Sequence, residues 1–271
     1  MVKKLVVLVT LWMLLSGLSA SAFGQSADEI SIKRLTWAGV QIVSGSTTLL
    51  IDAVGKDLWD GNAPGGLVPV EVDTSRVYAL ITHAHNDHFD LETLKDVLGE
   101  KGYAIVAESE ATYVASRGLR VIPAVPYVPV SRGGFVITAL PAVDGFGDQQ
   151  VSWLVSKGNQ RIFHGGDTLW HGSWRLFGDQ YGEVDVAFLP INGAVVGGDP
   201  TMTTPAVMTP SQAVDAARFI RAKSLVPIHY GLNDPPFYVE ARDALETAVR
   251  LSEERGVQIR VMQPGDVITL D

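Results

Sequence analysis

Three imidazoles and one carboxylate fall within six residues of Thr82-His83-Ala84-His85-Asn86-Asp87-His88-Phe89-Asp90, directly after the apolar run Val77-Tyr78-Ala79-Leu80-Ile81. Side chains two apart in an extended segment point the same way, so His83 and His85 converge on one ion, while Asp87 and His88, past the turn, face a second. Imidazole nitrogen and carboxylate oxygen are both zinc donors. A His-x-His pair alone carries little information, but four such groups buried without a cation would meet a heavy desolvation cost. The competing reading is a polar surface loop.

Such groups need rigid elements behind them. Apolar or alternating runs at 32–39, 48–53, 77–81, 103–107, 134–140, 151–155 and 161–164 predict strands, separated by turns such as Lys157-Gly158-Asn159. Asp90 predicts the cap of a helix over 91–98, with Glu92 in the first turn, where the helix dipole favours an acid. A second helix is predicted after Thr209-Pro210-Ser211, with Ala213, Val214, Ala217 and Ile220 at helical spacing. A third, over 239–255, buries Ala244, Leu245, Val249 and Leu251. No long linker, repeat or low-complexity run divides residues 23–271, which read as one domain, and a hydrophobic content of 46% is ample for its core.

Residues 1–22 have the make-up of a secretory signal peptide: Lys3-Lys4, an apolar stretch over 5–15, then small residues ending in Ala20-Ser21-Ala22. A membrane anchor is the alternative, but the apolar stretch is shorter than the roughly 20 residues a span needs. The expectation is an exported protein, periplasmic or secreted, with no stable membrane insertion after cleavage. The absence of cysteine excludes disulfides and a lipid-modified N-terminal cysteine. The net charge is −9, and loss of Lys3 and Lys4 would make it more negative. An acidic chain is a poor holder of a nucleic-acid backbone, so the expected partner is a small-molecule substrate.

The His-x-His-x-Asp-His run resembles the signature of the metallo-β-lactamase superfamily, and further blocks extend the likeness over about residues 35–270. Arg161-Ile162-Phe163-His164-Gly165-Gly166-Asp167-Thr168 resembles the family's strand and Gly-Asp turn, whose aspartate bridges both metals. Leu225-Val226-Pro227-Ile228-His229-Tyr230 resembles the strand that ends in the last histidine ligand. Leu35-Thr36-Trp37-Ala38-Gly39 and Leu49-Leu50-Ile51-Asp52 resemble the opening strands of the lactonase-like and phosphodiesterase-like branches. The resemblance implies an α+β fold, a four-layer αββα sandwich, with ligands on strand-end loops at one edge. It also implies two divalent metal ions, zinc first and manganese or iron as alternatives, held by His83, His85, Asp87, His88, Asp167 and His229.

One family ligand differs. In Ala139-Leu140-Pro141-Ala142-Val143-Asp144-Gly145, Asp144 stands where the superfamily supplies a histidine, and the six histidines, at 83, 85, 88, 164, 171 and 229, leave none spare there. Asp144 is either a carboxylate ligand or the cap of the Asp144-Gly145 turn. As a ligand it would reduce the net charge of the centre from about +2 to about +1, weaken the lowering of the water pKa and suit manganese or iron better.

The implied reaction is hydrolysis, in which a hydroxide bridging cations roughly 3.5–4 Å apart attacks an ester, lactone or phosphodiester. Asp167 sets the chain apart from the antibiotic-hydrolysing members. Its pattern is nearer the sugar-phosphate lactonase-like and phospholipase-D-like phosphodiesterase branches. The redox di-iron branch carries glutamate in place of the motif's second histidine.

The candidate catalytic residues are Asp87, beside its metal role, and His171. The latter, in Leu169-Trp170-His171-Gly172-Ser173-Trp174, is either a donor to a substrate oxyanion or an exposed loop histidine. His164 reads as a support for the ligands or a satisfied core histidine, and Tyr230 as a donor or a packed tyrosine. Loops at 59–69, 146–150, 169–181 and 192–210 are expected to choose the substrate, the last as a groove border or a mobile surface loop. The alternative function is a metal-binding protein of the same fold, with a degenerate first site and little catalysis.

Overall fold

Alternation along the strands divides their side chains between three cores. In β11 (Val184–Pro190), Val186 and Phe188 enter the central core, while Ala187 and Leu189 enter an outer one. The chain is described, in a computed structural model, over residues 29–56, 62–197, 201 and 203–270. The signal sequence expected at 1–22 lies outside those residues, as do Trp59 and Met202 of the expected loops.

One sheet has seven strands in the order β15 (Val267–Leu270), β1 (Ile30–Arg34), β2 (Val40–Ser44), β3 (Thr47–Ile51), β4 (Arg76–Ile81), β5 (Tyr103–Ala107) and β6 (Val121–Ala124). The other has six, in the order β13 (Ala222–Ile228), β11, β10 (Gln160–His164), β9 (Val151–Lys157), β8 (Phe135–Pro141) and β7 (Val130–Arg132). Both are mixed. Strands β3 to β6 run parallel, as do β10, β11 and β13, and the other pairings in these sheets are antiparallel. A short ribbon pairs β12 (Val195–Val196) with β14 (Tyr238–Val239) and belongs to neither sheet.

The central core joins Ile32, Leu49 and Leu80 of the first sheet to Trp153, Phe188 and Val226 of the second. Helices α1 (Leu91–Leu98) and α2 (Ala111–Ser116) cover the outer face of the first sheet through Leu94, Leu98 and Val114. Helices α3 (Trp174–Tyr181), α4 (Pro210–Phe219) and α5 (Ala244–Arg255) cover the second. The result is the expected αββα sandwich. Among the described residues no helix is long and apolar enough to cross a membrane.

Local sequence explains the elements nearest the ligands. Asp90 caps α1 by accepting from Thr93 N, and its Oδ2 also accepts from Gly55 N and Lys56 N at 3.1 and 3.2 Å, pinning the loop after β3. Thr209 and Gln212 form a reciprocal capping box on α4, with Pro210 in its first turn.

Three expectations are corrected. The strand expected over 32–39 stops at Arg34, because Leu35 N and Gly39 N bond to Gly39 O and Thr36 O in a tight turn. A Cβ at Gly39 would come within 2.9 Å of Leu35 Cβ, so glycine is required there. The helix expected from 239 begins at Ala244, since Val239 is paired with Val195 in the ribbon. The loop expected over 169–181 ends in α3, whose Trp174 and Phe177 bury one face.

Candidate metal centre

All seven expected ligands follow strand ends on one edge of the sandwich. His83, His85, Asp87 and His88 follow β4, Asp144 follows β8, Asp167 follows β10 and His229 follows β13. Their donor atoms form two groups, Asp87, His88, Asp167 and His229 in one and His83, His85 and Asp144 in the other, each with its atoms within 4.8 Å of one another. Backbone strain gathers here as well. Trp37, Asp52 and His229 have φ of 60°, 45° and 55°, a region that costs a non-glycine residue about 1–3 kcal/mol unless its surroundings enforce it. Gly166 turns the chain into Asp167 at φ 61°, where a Cβ would lie 2.9 Å from Thr82 Cβ.

Hydrogen bonds decide where the imidazole lone pairs point. Thr82 Oγ1 donates to Asp52 Oδ2 at 2.7 Å and so accepts from His83 Nδ1, 3.0 Å away. His85 Nε2 donates to Asp148 Oδ2 at 2.9 Å. Both rings therefore present bare nitrogens, His83 Nε2 and His85 Nδ1, which face each other at 2.9 Å. Two lone pairs at that distance repel unless a cation or proton lies between them.

The second group is arranged likewise. His88 Nδ1 donates to Asp52 Oδ2 at 2.9 Å, and Asp52 Oδ1 accepts from Thr82 N at 2.9 Å, so a buried carboxylate orients the ring and frees Nε2. His88 Nε2 lies 3.0 Å from Asp167 Oδ1, His229 Nε2 lies 3.0 Å from Asp167 Oδ2, and Asp87 Oδ2 is 3.5 Å from both nitrogens. His88 Nε2, His229 Nε2 and Asp167 Oδ1 are buried without a hydrogen-bond partner. Orphaned donor atoms converging from several residues are what a divalent cation satisfies, so these residues fit a metal. Asp167 Oδ2 is also 4.0 Å from His83 Nε2, which brings this carboxylate to both groups.

Charge tells the same story. Burial, then the neighbouring His88, pushes His83 down to about 4, so this ligand stands neutral at ordinary pH. Burial opposes a charge on His229, yet the Asp167 and Asp87 carboxylates outweigh it and lift its pKa to about 9. Burial likewise opposes ionised Asp167, and the facing His229 and His88 hold its pKa far below the carboxylate range all the same. In the metal-free chain a proton on His229 does part of a cation's work.

Because the unfolded histidine titrates near 6.5, the stabilisation from His229 is complete below about 6.5 and lost as pH rises through about 9. A bound cation displaces that proton and gains affinity over the same window. The melting temperatures of metal-loaded and chelated protein should therefore move apart between pH 6.5 and 9. Calorimetric scans showing a constant gap would contradict this reading of the cluster.

Asp144 Oδ1 accepts from Phe146 N at 2.6 Å and Asp148 N at 3.4 Å, so it closes the turn that brings Asp148 to His85. The carboxylate also stands in the first ligand group. The two sequence readings of this residue are thus compatible in geometry.

The remaining candidates are placed as follows. His164 Nε2 donates to Ala38 O at 2.8 Å and Nδ1 accepts from Gly166 N at 3.1 Å, a satisfied core histidine that holds the Gly-Asp turn. Tyr230 accepts from Arg34 at 3.2 Å and lies under its guanidinium, outside the lining of the cavity over the two groups. His171 is not brought to the cavity over the two groups: its ring stacks on Trp174 at 4.8 Å and meets Phe177 edge-on, and burial lowers its pKa to about 4. Phe146 and residues 194, 196, 206 and 207 of the 192–210 loop do border that cavity.

Sequence reasoning gave no role to Asp52, Asp148, Trp37 or Tyr238. Trp37 Nε1 donates to Asp87 Oδ2 at 3.1 Å, and its ring lies 4.2 Å from that of His229. An acid ending the apolar Leu49-Leu50-Ile51 run was the one available signal for Asp52. Nothing local marks the other three.

Two mixed sheets flanked by helices, with histidines and aspartates gathered at strand ends, make this the metallo-β-lactamase fold. A model of the beta-lactamase superfamily domain matches residues 47–230. A UPF0173 metal-dependent hydrolase of Thermus thermophilus is 30% identical over 256 residues, which span 89% of this chain and all of that protein. Another, from Thermococcus kodakarensis, is 29% identical over 237 residues, 84% of this chain and 95% of that one. The structure of Igni18, a metallo hydrolase of Ignicoccus hospitalis, aligns over 90% of this chain and 99% of that chain with a TM-score of 0.68 at 22% identity. The chain belongs to the UPF0173 metal-dependent hydrolase family of this superfamily and is a metal-dependent hydrolase.

Proposed function

We propose that the chain is an exported hydrolase of an ester, lactone or phosphodiester, with one divalent cation on His83, His85 and Asp144 and a second on Asp87, His88, Asp167 and His229. The observation that carries this reading is the pair of converging donor sets beneath one cavity, with Asp167 reaching both. Bound there, the ions would polarise the reacting oxygen and lower the pKa of a water. The chain's own residues do the rest. Asp52 and Thr82 fix two imidazole tautomers, Asp148 fixes a third, and Trp37 holds the Asp87 carboxylate. The nitrogen-rich donor set favours zinc, and the aspartates admit manganese or iron.

Metal analysis of protein expressed in zinc-, manganese- or iron-supplemented medium should find about two ions per chain. Chelation should abolish turnover of chromogenic esters, lactones or phosphodiesters, and reloading should restore it. Protein that holds no metal under any of these conditions would overturn the dinuclear reading. Export rests on the make-up of residues 1–22. Cell fractionation should recover a chain beginning near Phe23 outside the cytoplasm, whereas an intact N-terminus in the membrane fraction would mean an anchor instead.

A further inference from the structure

The cavity above the two ligand groups has a volume of about 600 Å³, and Trp37, Phe146, Val196, Val207 and Leu232 make its walls apolar. Its ionisable side chains are those of the centre itself, His85, Asp87, Asp167 and His229, together with Tyr238, and among the described residues no lysine or arginine lines it. Segments 57–61 and 198–202 contain no lysine or arginine either. A phosphate or carboxylate remote from the bond being cleaved would find no counter-charge on these walls and would lose its hydration on entering. An alkyl chain would instead exchange water for aromatic and aliphatic surface.

One wall carries a directed polar group. Val196 pairs with Tyr238 across the β12–β14 ribbon, so both stand on an element independent of the ligand strands. Asn192 Oδ1 accepts from Ala194 N at 3.3 Å, which orients the amide, and its Nδ2 donates to Tyr238 Oη at 2.6 Å. That bond occupies a lone pair of the phenol and leaves its O–H proton with no acceptor among the described residues. Tyr238 lines the same cavity as Asp87, Asp167 and His229.

Resting on the hydrolase reading above, we propose that the cavity takes an uncharged acyl compound, an ester or lactone with an apolar acid part, and that Tyr238 donates its hydroxyl hydrogen bond to the acyl carbonyl oxygen. Water adds its oxygen to the acyl carbon and the acyl–oxygen bond breaks. The departing oxygen takes a proton that the water gives up, so an ester yields an acid and an alcohol and a lactone yields a single hydroxy acid. Tyr238 keeps its proton throughout and stabilises the negative charge that grows on the carbonyl oxygen.

The test uses the metal-loaded full chain with 4-nitrophenyl hexanoate, 4-nitrophenyl acetate, γ-caprolactone, bis(4-nitrophenyl) phosphate and 4-nitrophenyl phosphate. The hexanoate ester should exceed the acetate and both phosphates in kcat/KM by about tenfold or more. Tyr238→Phe should lower kcat on the esters by about 10–100-fold with little change in KM, while metal content and melting temperature stay at the parent's values. Val196→Lys, on the same ribbon, should shift preference from the hexanoate ester towards 4-nitrophenyl phosphate. Preference for a phosphate in the parent would overturn the substrate class and leave the hydrolase reading intact. An unchanged kcat in Tyr238→Phe would overturn the donor. Turnover of none of the five would count against the hydrolase reading instead, and calorimetry with hexanamide and ribose 5-phosphate then decides: tighter hexanamide binding that weakens about tenfold in Tyr238→Phe supports the proposal, and tighter ribose 5-phosphate binding overturns it.

Discussion

Asp167→Asn should empty both metal positions together and reduce hydrolysis by about 10³-fold or more, which is about 4 kcal/mol of transition-state stabilisation. The aspartate faces His88 with Oδ1 and His229 with Oδ2, and the latter oxygen also approaches His83. Asparagine has the same shape, and the bond from Asp167 N to the Gln150 side-chain Oε1 at 3.1 Å uses only the backbone of residue 167, so the turn should survive the change. What is lost is a negative charge and one of two acceptor oxygens, and the new amide N–H₂ points at groups chosen to bind a cation. His229→Ala removes a ligand from the second group alone and should leave the first metal in place. Metal content and ester turnover of the two variants, measured side by side, check the contrast. Equal metal loss in both, or full metal in Asp167→Asn, would contradict the bridging position.

Asp144→Asn should halve the metal content, from about two ions to about one, and lower hydrolysis by about 10²-fold. This substitution separates the residue's two jobs. An asparagine Oδ1 still accepts from Phe146 N and Asp148 N, so the turn that presents Asp148 to His85 is kept while the anionic ligand is removed. Asp144→His reverses the experiment: it supplies a nitrogen ligand, removes the extra negative charge and sacrifices the turn bond, and selectivity should move from manganese or iron towards zinc. Metal content and pH profile together distinguish the outcomes. If Asp144→Asn keeps the parent's metal and rate while Asp144→Ala destabilises the fold, the carboxylate is a turn cap alone.

The members of the two donor clusters were legible because metal coordination demands particular residue types, and the turn after β4 concentrates four of them in six positions. Helix α1 was legible for a local reason too, since Asp90 bonds to Thr93 within one turn. Strand β11 was missed even though it is apolar from Val186 to Pro190, because a strand buried on both faces shows no alternation to separate it from a helix segment. Helix α3 is short, contains Gly178 and has no side-chain cap, so its only signal was the spacing of Trp174 and Phe177. Tyr238 and Asp52 escaped assignment for a different reason. Each matters through a partner 46 or 36 residues away, and that proximity is created by the tertiary fold rather than by any local pattern.

Each ligand group draws on both sheets, His83 and His85 from the first against Asp144 from the second, and Asp87 and His88 against Asp167 and His229. A loaded centre is therefore a pair of rivets along one seam of the sandwich. Elsewhere the sheets meet through side-chain packing and a few polar links, such as Lys157 Nζ to Ser44 Oγ at the opposite edge. Riveted at one edge, the sheets would pivot about it rather than slide, so strain on the sandwich would fall first on the opposite edge, where Lys157 reaches Ser44.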